Sequence, residues 1–144
     1  DFHMKLDVFF QTKATTMTLC VKIDFIGAYD GDICIGLAIM QHAFFEYMYD
    51  LKVNAEYRRR GIAKRLLDKA GEIALAEKYI GIYTQGQDNN LGACLFYIQS
   101  GFCIGGFDSN NQGTKTRGKG GYYFLPRLLN HNAGFLYKRR QHPG

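Results

Sequence analysis

A basic turn constrains this chain more than any other stretch. Arg58-Arg59-Arg60-Gly61-Ile62-Ala63 lies between Tyr47-Met48-Tyr49-Asp50-Leu51-Lys52-Val53, which reads as a strand, and a segment whose apolar residues recur at 62, 63, 66, 67, 70, 73 and 74. The second spacing is helical. A strand that enters a helix through such a turn leaves the first helical amides without internal acceptors, at the positive end of the helix dipole. That geometry binds phosphate. Gly61 and Ala63 are small enough to let a diphosphate approach the backbone, and Arg58, Arg59 and Arg60 add guanidinium groups that pair with phosphate oxygens. A solvated basic turn before an ordinary surface helix fits the same residues, so the turn alone does not decide between the two.

The chain has 144 residues, enough for one domain with a real core, and 47% of them are hydrophobic, which argues for folding over disorder. No run approaches the ~18–20 apolar residues of a membrane span, and the first ten residues lack a basic start followed by a long apolar stretch. Cys20, Cys34, Cys94 and Cys103 fall in apolar segments without metal-ligand spacing. They read as buried thiols in a reducing cytoplasm rather than disulfides or a zinc site. The net charge of +5 is unevenly placed: seven Lys or Arg and no acidic residue follow Asp108, while the preceding body carries a balance of −2. No aromatic-basic array of an RNA-binding type accompanies that tail.

The elements read as follows. Lys5 to Phe10 is a short strand and Thr12 to Cys20 is either helix or strand. Val21 to Tyr29, Ile33 to Met40 and Phe44 to Val53 form an antiparallel meander, with Asp30-Gly31-Asp32 as a hairpin turn. Strict alternation through the third strand puts Glu46, Met48, Asp50 and Lys52 on one face. A helix from Gly61 to Lys78 then crosses over to a strand at Tyr79 to Thr84 that runs parallel to the strand before it. Asp88-Asn89-Asn90 supplies a cap for a short helix from Leu91 to Gln99, which ends at Ser100-Gly101. Phe102 to Phe107 is a strand, residues 109–134 are a flexible loop region, and Phe135 to Lys138 is a last edge strand. The whole is one α/β domain of the α+β kind, a mixed and mostly antiparallel sheet covered by helices.

This order of elements, with the turn at 58–63 standing as Arg-x-x-Gly-x-Ala, resembles the GNAT superfamily of acyl-CoA-dependent N-acetyltransferases. A second stretch is more specific. Gln87-Asp88-Asn89-Asn90-Leu91-Gly92-Ala93-Cys94-Leu95-Phe96-Tyr97, then Gly101-Phe102-Cys103-Ile104-Gly105-Gly106-Phe107-Asp108, is similar to the streptothricin acetyltransferase branch. The resemblance implies acetyl-CoA as cosubstrate and no metal. It assigns the CoA diphosphate to Arg58, Arg59, Arg60, Gly61, Ile62, Ala63 and Lys64, and the pantetheine arm to the strand edge at Leu51, Lys52 and Val53 and to Asn90, with Ala93 and Tyr97 beside it. Tyr97 is the implied general acid for the departing thiolate. The chemistry agrees: an amine attacks the thioester carbonyl in its neutral form, and the sulfur needs a proton. The ordinary pKa values of a phenol and a thiol lie within about two units. A buried core aromatic is the other reading of Tyr97.

The base is the weaker point of the resemblance. The branch typically carries Glu-Asp where this chain has Tyr49-Asp50. Glu46 and Asp50, both on the even-numbered face, are the candidates, to activate a water or to hold a cationic substrate. The expected acceptor is a small primary amine, with streptothricin-like antibiotics, aminoglycosides, polyamines and protein N-termini all open. Only about 20 residues precede Val21, an abbreviated N-terminal region for this superfamily, so a homodimer completing the pocket is a further expectation. The rival is a non-catalytic nucleotide or nucleic-acid binding module, which would use the basic turn and basic C-terminus but leaves Asn90 and Tyr97 without a role.

Overall fold

The computed structural model describes residues 4–14, 20–42, 46–79, 81–87, 89–108 and 121–128. In chain order these form β1 (Met4–Ala14), β2 (Cys20–Asp30), β3 (Ile33–His42), β4 (Glu46–Val53), α1 (Ile62–Ala76), β5 (Gly81–Gln87), α2 (Leu91–Gln99), β6 (Cys103–Asp108) and β7 (Gly121–Leu128). The strands make one sheet in the order β1-β2-β3-β4-β5-β7-β6. The first four are an antiparallel meander, and β4 pairs β5 in parallel across the α1 crossover. Both the meander and the crossover match the sequence expectation. The ambiguous start resolves as a long strand: β1 runs beside β2 from Met4 to Ala14.

Two expectations need correction. Residues 121–128 fall inside the stretch read as loop, yet they form β7, which inserts between β5 and β6. Phe124 anchors it, its side chain wholly buried against Tyr97. The expected strand at Phe135 to Lys138 lies outside the described residues. The second correction concerns β4. Opposite β3, Asp50 pairs Ile39 and Met48 pairs Met40, so Tyr49 is an extra, bulged residue. A bulge resets the alternation of side chains. Glu46 and Met48 therefore share a face with His42, Met40, Leu51 and Val53, while Asp50 and Lys52 point to the opposite face. Glu46 and Asp50 do not share a side of the sheet.

The core explains why α1 sits where it does. Ile62, Leu66, Leu67, Ala70 and Ala74 are buried along one stripe of the helix, against Ile26, Ala28, Ala38, Met40 and Met48 of the sheet. Each buried Leu or Ile contributes roughly 1.5–3 kcal/mol. Gly36 permits the close approach: a Cβ there would stand 3.0 Å from Leu66 Cδ1 and 3.1 Å from Ile62 Cγ2. Helix α2 lies on the same face, with Cys94 against Gly86 and Tyr97 among Phe96, Phe102 and Phe124. Among the described residues, neither helix covers the opposite face. No described helix is long and apolar enough to cross a membrane.

Candidate active site

β4 changes character along its length. Its parallel pairing with β5 covers Glu46, Tyr47 and Met48 and goes no further. Beyond Met48 the two strands diverge, and the β5-facing edge of residues 49–53 is left outside the ladder. The Thr84 hydroxyl donates to the Met48 carbonyl at 3.0 Å, closing the last rung before the split. An edge of this kind accepts an extended chain of amides as an added strand would.

The split leads to the basic turn. Asn54 caps a 3-10 turn over Ala55–Tyr57, its Oδ1 accepting from the Glu56 amide at 3.1 Å. The Tyr57 hydroxyl donates to Asp30 Oδ2 at 3.0 Å, and the Arg60 guanidinium lies 5.1 Å from the Tyr57 ring centre. Arg59 and Gly61 both take left-handed backbone, at φ 59° and 77°. Gly61 is the N-cap of α1 and has no side chain to cap it. The first backbone bond of the helix runs from the Arg65 amide to the Gly61 carbonyl at 3.1 Å. The amides of Ile62, Ala63 and Lys64 thus have no acceptor within the helix.

A groove of about 580 Å³ opens in front of these amides, between the start of α1 and the exposed side of α2. From the sequence-derived set it is lined by Val53, Arg58, Arg59, Gly61, Ile62, Ala63 and Lys64. Leu51, Lys52, Arg60, Asn90, Ala93 and Tyr97 do not line it. Tyr57, Gly92, Leu95, Phe96 and Gln99 do, and sequence reasoning missed them. The α2 residues among them follow helical spacing from Gly92, a signal available only once the groove-facing side of α2 is known. Asn90 is engaged as the N-cap of α2, its Oδ1 accepting from the Ala93 amide at 3.2 Å.

Tyr97 is 7% exposed, its ring packed between Phe96, Phe102 and Phe124. Its pKa is pushed up, chiefly by burial and further by the charge of Asp50, against a hydrogen bond with Thr84 that pulls it down. Through Thr84 the phenol meets the last rung before β4 and β5 separate.

Glu46 has a different setting. Like Asp24 it is wholly buried, the two lying on β4 and β2 with His42 of β3 between them. His42 Nε2 lies 2.6 Å from Asp24 Oδ2. His42 Nδ1 lies 2.9 Å from Glu46 Oε2, off the line of a hydrogen bond. Burial first, and the charge of Asp24 second, push the Glu46 carboxyl up to about 8. His42 is the centre of this cluster, and the Tyr79 ring tilts against it at 5.7 Å. Asp24 and His42 sit on different strands, so no motif joins them in sequence. The thiols also divide: Cys94 is buried as expected, whereas Cys34 is exposed.

The profile of the acetyltransferase (GNAT) domain matches residues 22–104, more than half of the chain. The chain belongs to the GNAT acetyltransferase family. Within that family, residues of the chain are 35% identical over 78 positions to streptothricin acetyltransferase A of Bacillus subtilis (strain 168), covering 53% of this chain and 45% of that protein. They are 38% identical over 85 positions to streptothricin acetyltransferase of Escherichia coli, covering 59% and 43%. The chain thus matches less than half the length of these curated GNAT relatives. A crystal structure assigned as a streptothricin acetyltransferase from Bacillus anthracis str. Ames, in complex with acetyl coenzyme A, aligns with a TM-score of 0.67 and 30% identity over 71% of this chain and 60% of that one.

Proposed function

We propose that this GNAT domain transfers an acetyl group from acetyl-CoA to a primary amine of a small cationic acceptor, with streptothricin-like compounds as the leading class. The reading rests on one coincidence: the open edge of β4 runs into the groove that ends at the uncapped start of α1. A linear cosubstrate with an amide arm and a diphosphate needs those two features joined. The groove's chemistry fits the group. Arg58, Arg59 and Lys64 are exposed cations beside the amides of Ile62, Ala63 and Lys64. Leu95 and Phe96 offer an apolar wall.

The bound thioester supplies an activated carbonyl, and the rest is the work of side chains. The amides at 62–64, with Arg58, Arg59 and Lys64, hold the diphosphate, and Arg60 stiffens the turn through Tyr57. The edge of Leu51, Lys52 and Val53 orients the amide arm. Asn90 and Ala93 fix the first turn of α2, and the Asn90 side-chain nitrogen remains as a donor toward the arm. Tyr97 holds the proton for the leaving thiolate. Burial keeps this phenol protonated at neutral pH at the expense of acid strength. Asp50, on the open side of the sheet beside the split, holds the cationic acceptor, and the attacking amine passes its proton to water. Glu46 belongs to the buried His42 cluster and serves the strand rather than the reaction.

Saturating acetyl-CoA should raise the melting temperature, since a ligand at about 100 times its Kd adds roughly 2.7 kcal/mol to stability. Thiol release should then depend on an added amine. Stabilisation by an RNA or DNA oligonucleotide, with none by acetyl-CoA, would replace this reading with the binding-module one.

A further inference from the structure

The face of the sheet away from both helices carries its own cluster at the point where β4 and β5 part. Tyr47 pairs Tyr83 in register, and their rings tilt at 35° with centres 5.3 Å apart. Tyr49 stands edge-on to Tyr47, its ring centre 6.2 Å away, and is 66% exposed. Tyr49 shares the face of Tyr47 by ordinary alternation, whereas an unbroken strand would put Asp50 on the helix face. Instead Asp50 joins the tyrosines. The Tyr47 hydroxyl reaches Gln85 Oε1 at 3.4 Å, giving the ring stack a polar rim.

This place already holds an alkylammonium. Lys52 Nζ sits 2.7 Å from Asp50 Oδ2. The Lys52 pKa is raised, first by the hydrogen bond and charge of Asp50, with Tyr49 adding to it. Lys52 is largely exposed, so its hold on Asp50 is of the weak, solvent-screened kind, and an incoming cation competes with it readily. Aromatic faces beside a carboxylate favour an alkylammonium over a neutral or anionic group.

From this we infer that Tyr49, with Tyr47, Tyr83 and Asp50, forms a specificity subsite for a second, protonated amine of the acceptor, so that the domain selects diamines over monoamines. The inference rests on the acetyl-transfer reading and places the acceptor on the sheet face opposite the acetyl-CoA groove, with the split between β4 and β5 joining the two.

The test compares 1,5-diaminopentane with 1-aminopentane, which present the same attacking amine and differ by one ammonium. The unaltered protein should prefer the diamine in kcat/KM. Tyr49→Leu should reduce that preference about 10-fold through KM, and Tyr49→Phe, which keeps the ring, should keep it. Tyr49 is exposed, and a cooperative melt by circular dichroism establishes that each variant is folded. An unchanged preference in Tyr49→Leu, or an equal loss in Tyr49→Phe, overturns the subsite. A second arm does not depend on turnover: the diamine, but not the monoamine, should shift the tyrosine ring resonances lost in Tyr49→Leu. Equal shifts or none overturn the subsite even where acetylation proceeds. Ring shifts specific to the diamine without any acetylation support the subsite and count against the transfer reading alone.

Discussion

The two halves of β4 make an instructive pair. From Glu46 to Met48 the strand has neighbours on both sides, and Glu46 and Met48 are wholly enclosed. From Tyr49 to Val53 only β3 accompanies it, and its other edge is open. One extra residue separates the halves. The first half is a place where a carboxylate is kept from water; the second leaves its β5-side edge outside the ladder. A strand can thus supply structure and chemistry in sequence, provided a bulge lets the side chains change faces between them.

Three experiments would break or sharpen that contrast. The largest effect should come from the turn that receives the open half. Gly61→Val forces a branched residue into backbone at φ 77° and sets a side chain before the first helical amides. Acetyl-CoA affinity by isothermal titration should fall at least about 100-fold; retention of affinity would detach the groove from the open strand. Next, Tyr97→Phe should lower kcat by roughly 100-fold with the acetyl-CoA Kd changed less than about threefold, as expected when a general acid is removed. A kcat within threefold of the unaltered protein would return Tyr97 to the aromatic core.

The smallest effect concerns the enclosed half. Since the folded-state pKa of Glu46 lies at about 8, above its ordinary 4.5, the folded protein binds that proton more tightly than the unfolded chain. Its stabilising contribution is complete below about pH 4.5 and is lost as pH rises through about 8. The melting temperature should therefore fall by roughly 5 °C or more between pH 5.5 and pH 8.5. Glu46→Gln, measured over the same range, should flatten that slope. An equal slope in the variant would show that the cluster does not hold its proton.

The turn at 58–63, the periodicity of α1, the Asn90 cap and the Gly101 exit at φ 94° were all legible in sequence, because each follows from local rules. What escaped was decided by pairing across the sheet. Nothing in Tyr49 itself announces a bulge; the offset appears only when Ile39 and Met40 are laid against Asp50 and Met48. The joining of Asp24, His42 and Glu46 likewise depends on three strands in register. β7 was hidden by the Gly and Lys residues before it and by Pro126 within it, which weigh against a strand unless a partner on each side supplies the reason for one.

That last strand carries a consequence for how the molecule is made. β7 comes last among the described strands, yet it fills an interior slot between β5 and β6. Until it is synthesised, β5 and β6 each present a bare border, and Phe124 is missing from the space beside Gly86 and Tyr97. On the ribosome the meander has its partners early, whereas the half that carries Tyr97 must wait for residues more than twenty positions further on, and any premature stop there leaves β6 cut off from the rest of the sheet.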